Sequence, residues 1–316
     1  MPDNILVLGG TGYVGRAVCE RLAERSSAGR IVVPTRRLAH GDRVRALPTV
    51  ELVQADVHDP AQLAKLLARA DAVVHLVAIL HGSAAAFQQV HVELPRQLAA
   101  ACAAVGVRRL VHVSALGVGP GAPSHYLRSK TEGEAVLQAA GLELSVLRPS
   151  VIFGTEDRFL NSFAQLQAIA PVMPLAGGGA RFQPVWVEDV ASAIVRCLDD
   201  RGSIGQTYEA TGPQVYTLSE LVRLAGRWAG HERPQIPLPL AVGRLQALAM
   251  ELLPGTPLMS RDNLDSMQVP NVATGTLPGL QALGITPTAM EAVAPLYLGR
   301  RFGRARMEPW RAGARR

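Results

Sequence analysis

The chain has 316 residues, of which 48% are hydrophobic and 18% charged. That size and composition suit one large folded domain or two joined lobes, and they exclude a disordered or low-complexity protein. The net charge is +6 and unevenly placed: from Tyr297 the sequence reads YLGRRFGRARMEPWRAGARR. Such a tail reads as a solvated terminus, with contact to a membrane surface or an acidic protein complex as the alternative. No recognisable nucleic-acid motif accompanies it, so nucleic acid is not an expected partner.

The longest apolar runs, such as Ala72 to Leu80, are far shorter than a membrane span. The opening MPDNILVLGG has no basic leader and reads directly as a first strand. A cytoplasmic protein is therefore expected, with a peripheral station at the inner membrane face as the alternative. Cys19, Cys102 and Cys197 lie far apart in helix-like patterns. They are expected as small buried residues, with no metal site.

In chain order, strands are expected at Ile5 to Gly9, Ile31 to Thr35, Glu51 to Gln54, Ala72 to Val77, Arg109 to Ser114 and Leu144 to Val151. Helices are expected between them at Val14 to Arg25, Pro60 to Arg69, Gln88 to Val105 and Tyr126 to Ala140. This alternation implies a doubly wound parallel sheet with helices on both faces, a Rossmann-like α/β fold. Later elements are less regular: late strands at Phe182 to Val187 and Thr207 to Glu209, helices at Val187 to Leu198 and Leu218 to Gly230, and an apolar helix from Leu240 to Leu253. The expected division is a nucleotide domain of residues 1–152 plus about 182–211. A smaller C-terminal substrate or cap lobe takes about 153–181 plus 212–298, and an Arg-rich tail 299–316.

Gly9, Gly12 and Gly15 have GxxGxxG spacing between the first strand and the first helix. Glycines there let backbone N–H groups approach a pyrophosphate at a helix N-terminus, with Thr11, Tyr13 and Val14 in the same turn. The second strand ends in Arg36-Arg37, where an NAD site commonly carries a carboxylate for the ribose diol. Arginine there pairs with a 2′-phosphate, so NADP(H) is expected and NAD(H) is the alternative. Topology places Asp56 and Val57 by the adenine, and Leu76, Val77 and Ala78 beneath the ribose.

Tyr126 and Lys130 are four apart and share a helix face. A nearby ammonium favours a phenolate, so a tuned Tyr126 can exchange a proton with a carbonyl or alcohol. The chain has only two lysines, Lys65 and Lys130, among its cations. A solvated cation would more commonly have been Arg here, which singles out Lys130 as the compact ammonium for a cofactor ribose.

These features resemble the extended short-chain dehydrogenase/reductase superfamily, as does Val185-Trp186-Val187-Glu188-Asp189-Val190-Ala191. The segment RPSVIFGTEDRFLN (residues 148–161) is similar to the nucleotide-binding accessory subunits of respiratory complex I and their bacterial relatives, and Leu258 to Leu264 to the same group. The resemblance implies a tightly bound NADP(H) and a C-terminal lobe that caps the cleft. It implies that Pro149 and Val151 line the far side of the nicotinamide. It implies a nucleotide that serves stability or assembly in mitochondrial members, and a link to ubiquinone biosynthesis in others. Active extended enzymes commonly end the fifth strand in Ser-Ser or Ser-Thr; here the pair is Ser114-Ala115. Either Ser114 takes the substrate-orienting role, or that hydroxyl is missing.

His75, His81 and His91 fall on different elements and read as structural or solvent-facing. Glu188-Asp189 reads as a charged helix start. Gly177-Gly178-Gly179-Ala180-Arg181 reads as a flexible loop or as one closing over an anionic group. Two functions stay open. One is an oxidoreductase or epimerase-like enzyme acting on an apolar or quinone-like substrate. The other is a nucleotide-loaded structural or assembly protein with little or no catalysis.

Overall fold

The computed structural model describes residues 2–25, 29–252, 255, 257 and 259–299. The Arg-rich tail from Arg300, Leu253 at the end of the expected apolar helix, and Leu258 lie outside the described residues. The chain divides into two compact units, one of residues 1–149, 187–210 and 274–286, the other of 150–186, 211–273 and 287–316.

The first unit is built on a seven-stranded parallel sheet. Strands β1 (Asn4–Leu8), β2 (Arg30–Thr35), β3 (Val50–Gln54), β4 (Ala72–His75), β5 (Arg109–Val113) and β6 (Glu143–Pro149) are joined by Thr207–Ala210. The spatial order is β3-β2-β1-β4-β5-β6 and then Thr207–Ala210, so the order reverses between β1 and β4. In a doubly wound sheet a ligand crevice lies at that reversal, outside the carboxyl ends of the strands. Central strands here are buried on both faces, which is why β1 and β4 read as apolar runs rather than alternating ones. Pro34 is tolerated in β2 because the pairing with β1 ends at Val32.

Helices Pro60–Leu67, Leu94–Val105 and His125–Gln138 set Leu63, Leu67, Leu98 and Leu137 into a core shared with Leu6, Leu8, Val73 and Leu110 of the sheet. Helices Tyr13–Ala23 and Val187–Asp199 pack against each other. The three cysteines are buried and unbridged, and burial raises their thiols.

Among the elements that differ from expectation, the late strand over Phe182 to Val187 is two short strands, Arg181–Phe182 and Val185–Trp186, and the sixth strand ends at Pro149. The fourth strand stops at His75 instead of Val77, although the Leu76 N–H still reaches Leu8 O at 2.9 Å. The helix expected over Gln88 to Val105 is preceded by Ala84–Gln88 and opens with a π-turn over Gln89–Glu93, before Leu94–Val105. Pro95 explains the widening. It has no N–H for the His91 carbonyl four residues back, and its ring crowds that oxygen. The displaced carbonyl packs on Gly133 of the Tyr126 helix, where a Cβ would stand 1.7 Å from it.

The second unit has its own core, in which Phe153, Leu160, Leu221, Val222, Met290 and Ala294 pack together. They come from helices Leu160–Ile169, Leu218–Ala229 and Met290–Leu298 and the short strand Ile152–Phe153. A capping box of Thr217 and Glu220 starts the second of these helices. Strand Met173–Ala176 runs parallel to Gln235–Leu238, and helix Leu240–Leu252 follows.

Candidate functional site

Local geometry explains the glycine turn. Gly9 has φ +87°, a left-handed conformation that disfavours any side chain, and a Cβ on it would lie 3.2 Å from Leu76 C and Val77 N. The turn and the segment after β4 therefore adjoin. A Cβ on Gly15 would fall 2.2 Å from Gly9 O, so only glycine lets the helix start this close to the turn. The helix begins at Gly12, which offers no side-chain cap. A helix N-terminus without a side-chain cap suits a pyrophosphate. Thr11, Tyr13 and Val14 are half-buried around the same turn.

Arg36 and Arg37 are exposed beyond β2, where Thr35 Oγ1 donates to Arg37 O at 3.0 Å and fixes the backbone. Asp56 caps its own turn, accepting from His58 N–H at 3.0 Å, and Val57 is half-buried beside it. Leu76 and Val77 are half-buried and Ala78 is exposed.

On the Tyr126 helix, Ser124 is the N-cap and accepts from Leu127 N–H at 3.1 Å. Arg128 donates to Ala122 O and Pro123 O at 3.0 and 2.9 Å, tying the Gly/Pro-rich loop down. Lys130 is buried and its Nζ donates to Val113 O at 2.7 Å, which joins the helix to the end of β5. Burial lowers its ammonium to about 8, and nearby Glu134 opposes that fall. Glu134 is itself held by Arg148, whose Nε donates at 3.1 Å.

Tyr126 is half-buried, with its ring edge-on to Phe87 and to His91 at centroid distances of 6.1 and 5.5 Å. Burial raises its phenol to about 12, the direction opposite to a phenol prepared to release its proton. Ser114 is buried, and its Oγ has no hydrogen-bond partner among the described residues. Ala115 beside it is buried and offers no hydroxyl. Pro149 ends β6 and accepts from Leu116 N–H at 3.0 Å. Val151 belongs to the second unit, where its N–H donates to Asn271 Oδ1 at 3.0 Å.

The histidines are organised beyond what their spacing indicates. His91 Nε2 accepts from Ile79 N–H at 3.1 Å, so the proton sits on Nδ1, which donates to Ser129 Oγ at 2.9 Å. Ser129 Oγ in turn donates to Tyr126 O at 2.9 Å. His91 thus ties the segment after β4 to the Tyr126 helix. His75 stacks on His112, a residue that spacing alone does not single out. The signal for it is register: His75 and His112 are direct partners on adjacent strands. Among the described residues no group of three or more His, Cys, Asp or Glu is arranged to hold a metal.

Other candidates have structural work. Glu188 accepts from Arg21 at 3.1 Å, joining two helices. Gly177 to Ala180 form a turn closed by Ala180 N–H to Gly177 O at 2.9 Å, with Arg181 exposed beyond it. In the segment around RPSVIFGTEDRFLN, Asp157 is central. It accepts from the N–H groups of Gly154, Phe159 and Asn161 and from Tyr297 OH at 2.7 Å.

Comparison with known proteins places this architecture. Residues 5–210 match the NAD dependent epimerase/dehydratase family. The chain is 32% identical over 292 residues to the mouse (Mus musculus) protein "NADH dehydrogenase [ubiquinone] 1 alpha subcomplex subunit 9, mitochondrial", covering 90% of this chain and 77% of that one. The Arabidopsis thaliana protein of the same description is 29% identical, over 92% of this chain and 76% of its own length. In fold, the chain is similar to an NADPH-dependent quinone oxidoreductase from Escherichia coli complexed with NADPH. The TM-score is 0.74 at 22% identity, over 93% of this chain and 99% of that one. The expectation of a cytoplasmic protein is corrected by the two sequence relatives, both described as mitochondrial. An opening strand says how the fold begins, not where the protein resides. With its glycine turn at the sheet's reversal point and this match across most of its length, the chain belongs to the NAD dependent epimerase/dehydratase family and is homologous to the subunit 9 proteins.

Proposed function

We propose that this protein is a dinucleotide-loaded accessory or assembly component of an NADH dehydrogenase (ubiquinone) complex, with weak or no turnover of its own. The observation that carries this reading is the end of β5, where buried Ala115 follows Ser114 and supplies no hydroxyl, and burial moves the Tyr126 phenol up rather than down. Homology with the subunit 9 proteins over 90% of the chain supplies the kind of assembly.

In this reading Gly9, Gly12 and Gly15 seat the pyrophosphate, with Thr11, Tyr13 and Val14 around it. Arg36 and Arg37 meet the 2′-phosphate, which makes NADP(H) the preferred form. Asp56 and Val57 border the adenine, and Leu76, Val77 and Ala78 pass beneath the ribose. Lys130, fixed by Val113 O, presents its remaining N–H groups to the nicotinamide ribose. Pro149 closes the end of β6. The residues fit a nicotinamide dinucleotide, which supplies hydride transfer when bound. Here its binding free energy is directed to stability, because a ligand held only by the folded state shifts the folding equilibrium.

A second reading has its own observation. Tyr126 and Lys130 share a helix face, and the Ser114 hydroxyl is buried without a partner at the adjoining strand end. In that reading Ser114 orients the oxygen of an apolar or quinone-like carbonyl and Tyr126 donates a proton to it, as in a reductase. NADPH oxidation against a panel of quinones and apolar carbonyls separates the two. The accessory reading expects turnover near background, unchanged in Tyr126→Phe. Robust turnover abolished by that substitution would establish the enzyme instead.

A further inference from the structure

His91 reaches three separate pieces of the first unit with one buried ring. It lies in the π-turn Gln89–Glu93. Its Nε2 accepts from Ile79 N–H at 3.1 Å, in the segment that leaves β4. Its Nδ1 donates at 2.9 Å to Ser129 Oγ on the helix His125–Gln138. The ring also stands edge-on to Tyr126, and its centroid lies 5.6 Å from that of Phe87. A neutral imidazole suits this place, because it accepts on one side and donates on the other across a rigid ring. Burial, then the Lys130 charge, keeps it neutral by lowering it to about 3. The backbone carbonyl of the same residue packs on Gly133, where a Cβ would stand 1.7 Å from it. Ring and carbonyl thus meet one helix at Ser129 and Gly133, one turn apart. A core position needs neither polar bond, as buried Phe87 one turn earlier in the chain illustrates.

The two ends of this bridge fall at chosen places in the chain. Ile79 directly follows Leu76, Val77 and Ala78, and Ser129 directly precedes Lys130. Lys130 is fixed at a second point by its 2.7 Å bond to Val113 O. His91 therefore spans the two segments that a bound dinucleotide would meet at its ribose. Its hydrogen bonds go to that side and not to Arg36, Arg37, Asp56 or Val57 at the adenine end. We propose that His91 is a positioning residue for the nicotinamide half of the dinucleotide, setting the spacing between the segment after β4 and Lys130; this role rests on the dinucleotide reading of the same site. Without the ring, the Ile79 N–H loses its acceptor and the helix loses its tie to the β4 side. The two walls then drift relative to each other, while the glycine turn and the adenine end keep their own supports.

Titration of the full chain with NADPH and, separately, with adenosine 2′,5′-bisphosphate tests it. The second ligand carries the adenine and the 2′-phosphate but no nicotinamide ribose. His91→Phe keeps a ring and removes both hydrogen bonds. It is expected to weaken NADPH about tenfold and to leave the bisphosphate within about twofold. His91→Gln supplies an amide oxygen for the Ile79 N–H and is expected to recover most of the loss. Ser129→Ala cuts the other end of the bridge by removing one hydroxyl, and is expected to show the same split at about threefold. Equal weakening of both ligands overturns the inference, as does unchanged binding of both, since a purely structural residue acts on the whole site or on stability alone. Where His91→Phe does not fold, the response of Ser129→Ala decides by the same criterion. A parent chain that binds neither ligand overturns the dinucleotide reading and this role with it. A parent that binds both, with no split in the variants, overturns this role alone.

Discussion

His75 and His112 face one another across adjacent parallel strands, stacked at 4.9 Å between ring centroids with their Nδ1 atoms 2.9 Å apart. Two such nitrogens share one proton, so the pair is neutral and the rings are opposite tautomers. His75 Nε2 has no partner among the described residues. A bare acceptor there costs less than a buried N–H, so His75 is the Nδ1 donor and His112 carries its proton on Nε2.

That arrangement makes stability depend on pH. Burial, then the Lys130 charge, lowers both His75 and His91 to about 3, and the same causes hold His112 well below 6.5. The unfolded chain takes up protons on these imidazoles below about pH 6.5, and the folded chain does not. Their contribution is therefore complete above pH 6.5 and is lost as pH falls from there toward 3. Each of His75 and His91 accounts for about 1–2 kcal/mol by pH 5. Denaturant melts between pH 7 and 5 check this, and a stability flat across that range would refute the neutral cluster.

Gly15→Ala is expected to abolish nucleotide binding. Its Cβ would enter the space of Gly9 O and Gly10 Cα, which are backbone atoms that cannot swing aside. The turn must open, and the N–H groups lose their common focus. Calorimetric titration with NADPH should show no measurable heat of binding, against clear binding by the parent chain.

Arg36→Ala and Arg37→Ala address the choice of dinucleotide. Both side chains are exposed beyond β2, and a charge-assisted contact to a 2′-phosphate has no counterpart in NADH. The stronger of the two substitutions should weaken NADPH about 10- to 100-fold and leave NADH within about twofold. Equal losses for both dinucleotides would mean that neither arginine meets the phosphate.

Lys130→Met should be more damaging than its position on a surface helix suggests. It removes the 2.7 Å bond to Val113 O and the ammonium near Glu134, which keeps Arg148 and Gln138 as partners. A loss of about 1–3 kcal/mol in stability is expected, together with weaker nucleotide binding. Measuring both quantities on one preparation distinguishes a cofactor contact from a purely structural tie, which would alter stability alone.

Much of the fold was legible because parallel strands buried on both faces leave apolar runs, as in Ile5 to Leu8 and Ala72 to Val74. The glycine turn was legible for a similar reason, since Gly9 and Gly15 occupy positions where a side chain has no room. The π-turn at Gln89–Glu93 was hidden behind a helical pattern, although Pro95 was its visible cause. His112 needed strand register, which one strand's sequence does not contain. The network of Asp157, which joins Gly154 to Tyr297, depends on a contact 140 residues away in sequence. The orphaned Ser114 hydroxyl follows from packing around it, which no local pattern encodes.

Thermal melting with and without NADPH, on the parent chain, Arg36→Ala and Tyr126→Phe, tests the structural role of the nucleotide most directly. The parent and Tyr126→Phe are expected to melt together and to gain the same several degrees from NADPH, while Arg36→Ala loses most of that gain. A nucleotide that leaves the parent's melting temperature unchanged, while Tyr126→Phe eliminates NADPH turnover, would contradict the account.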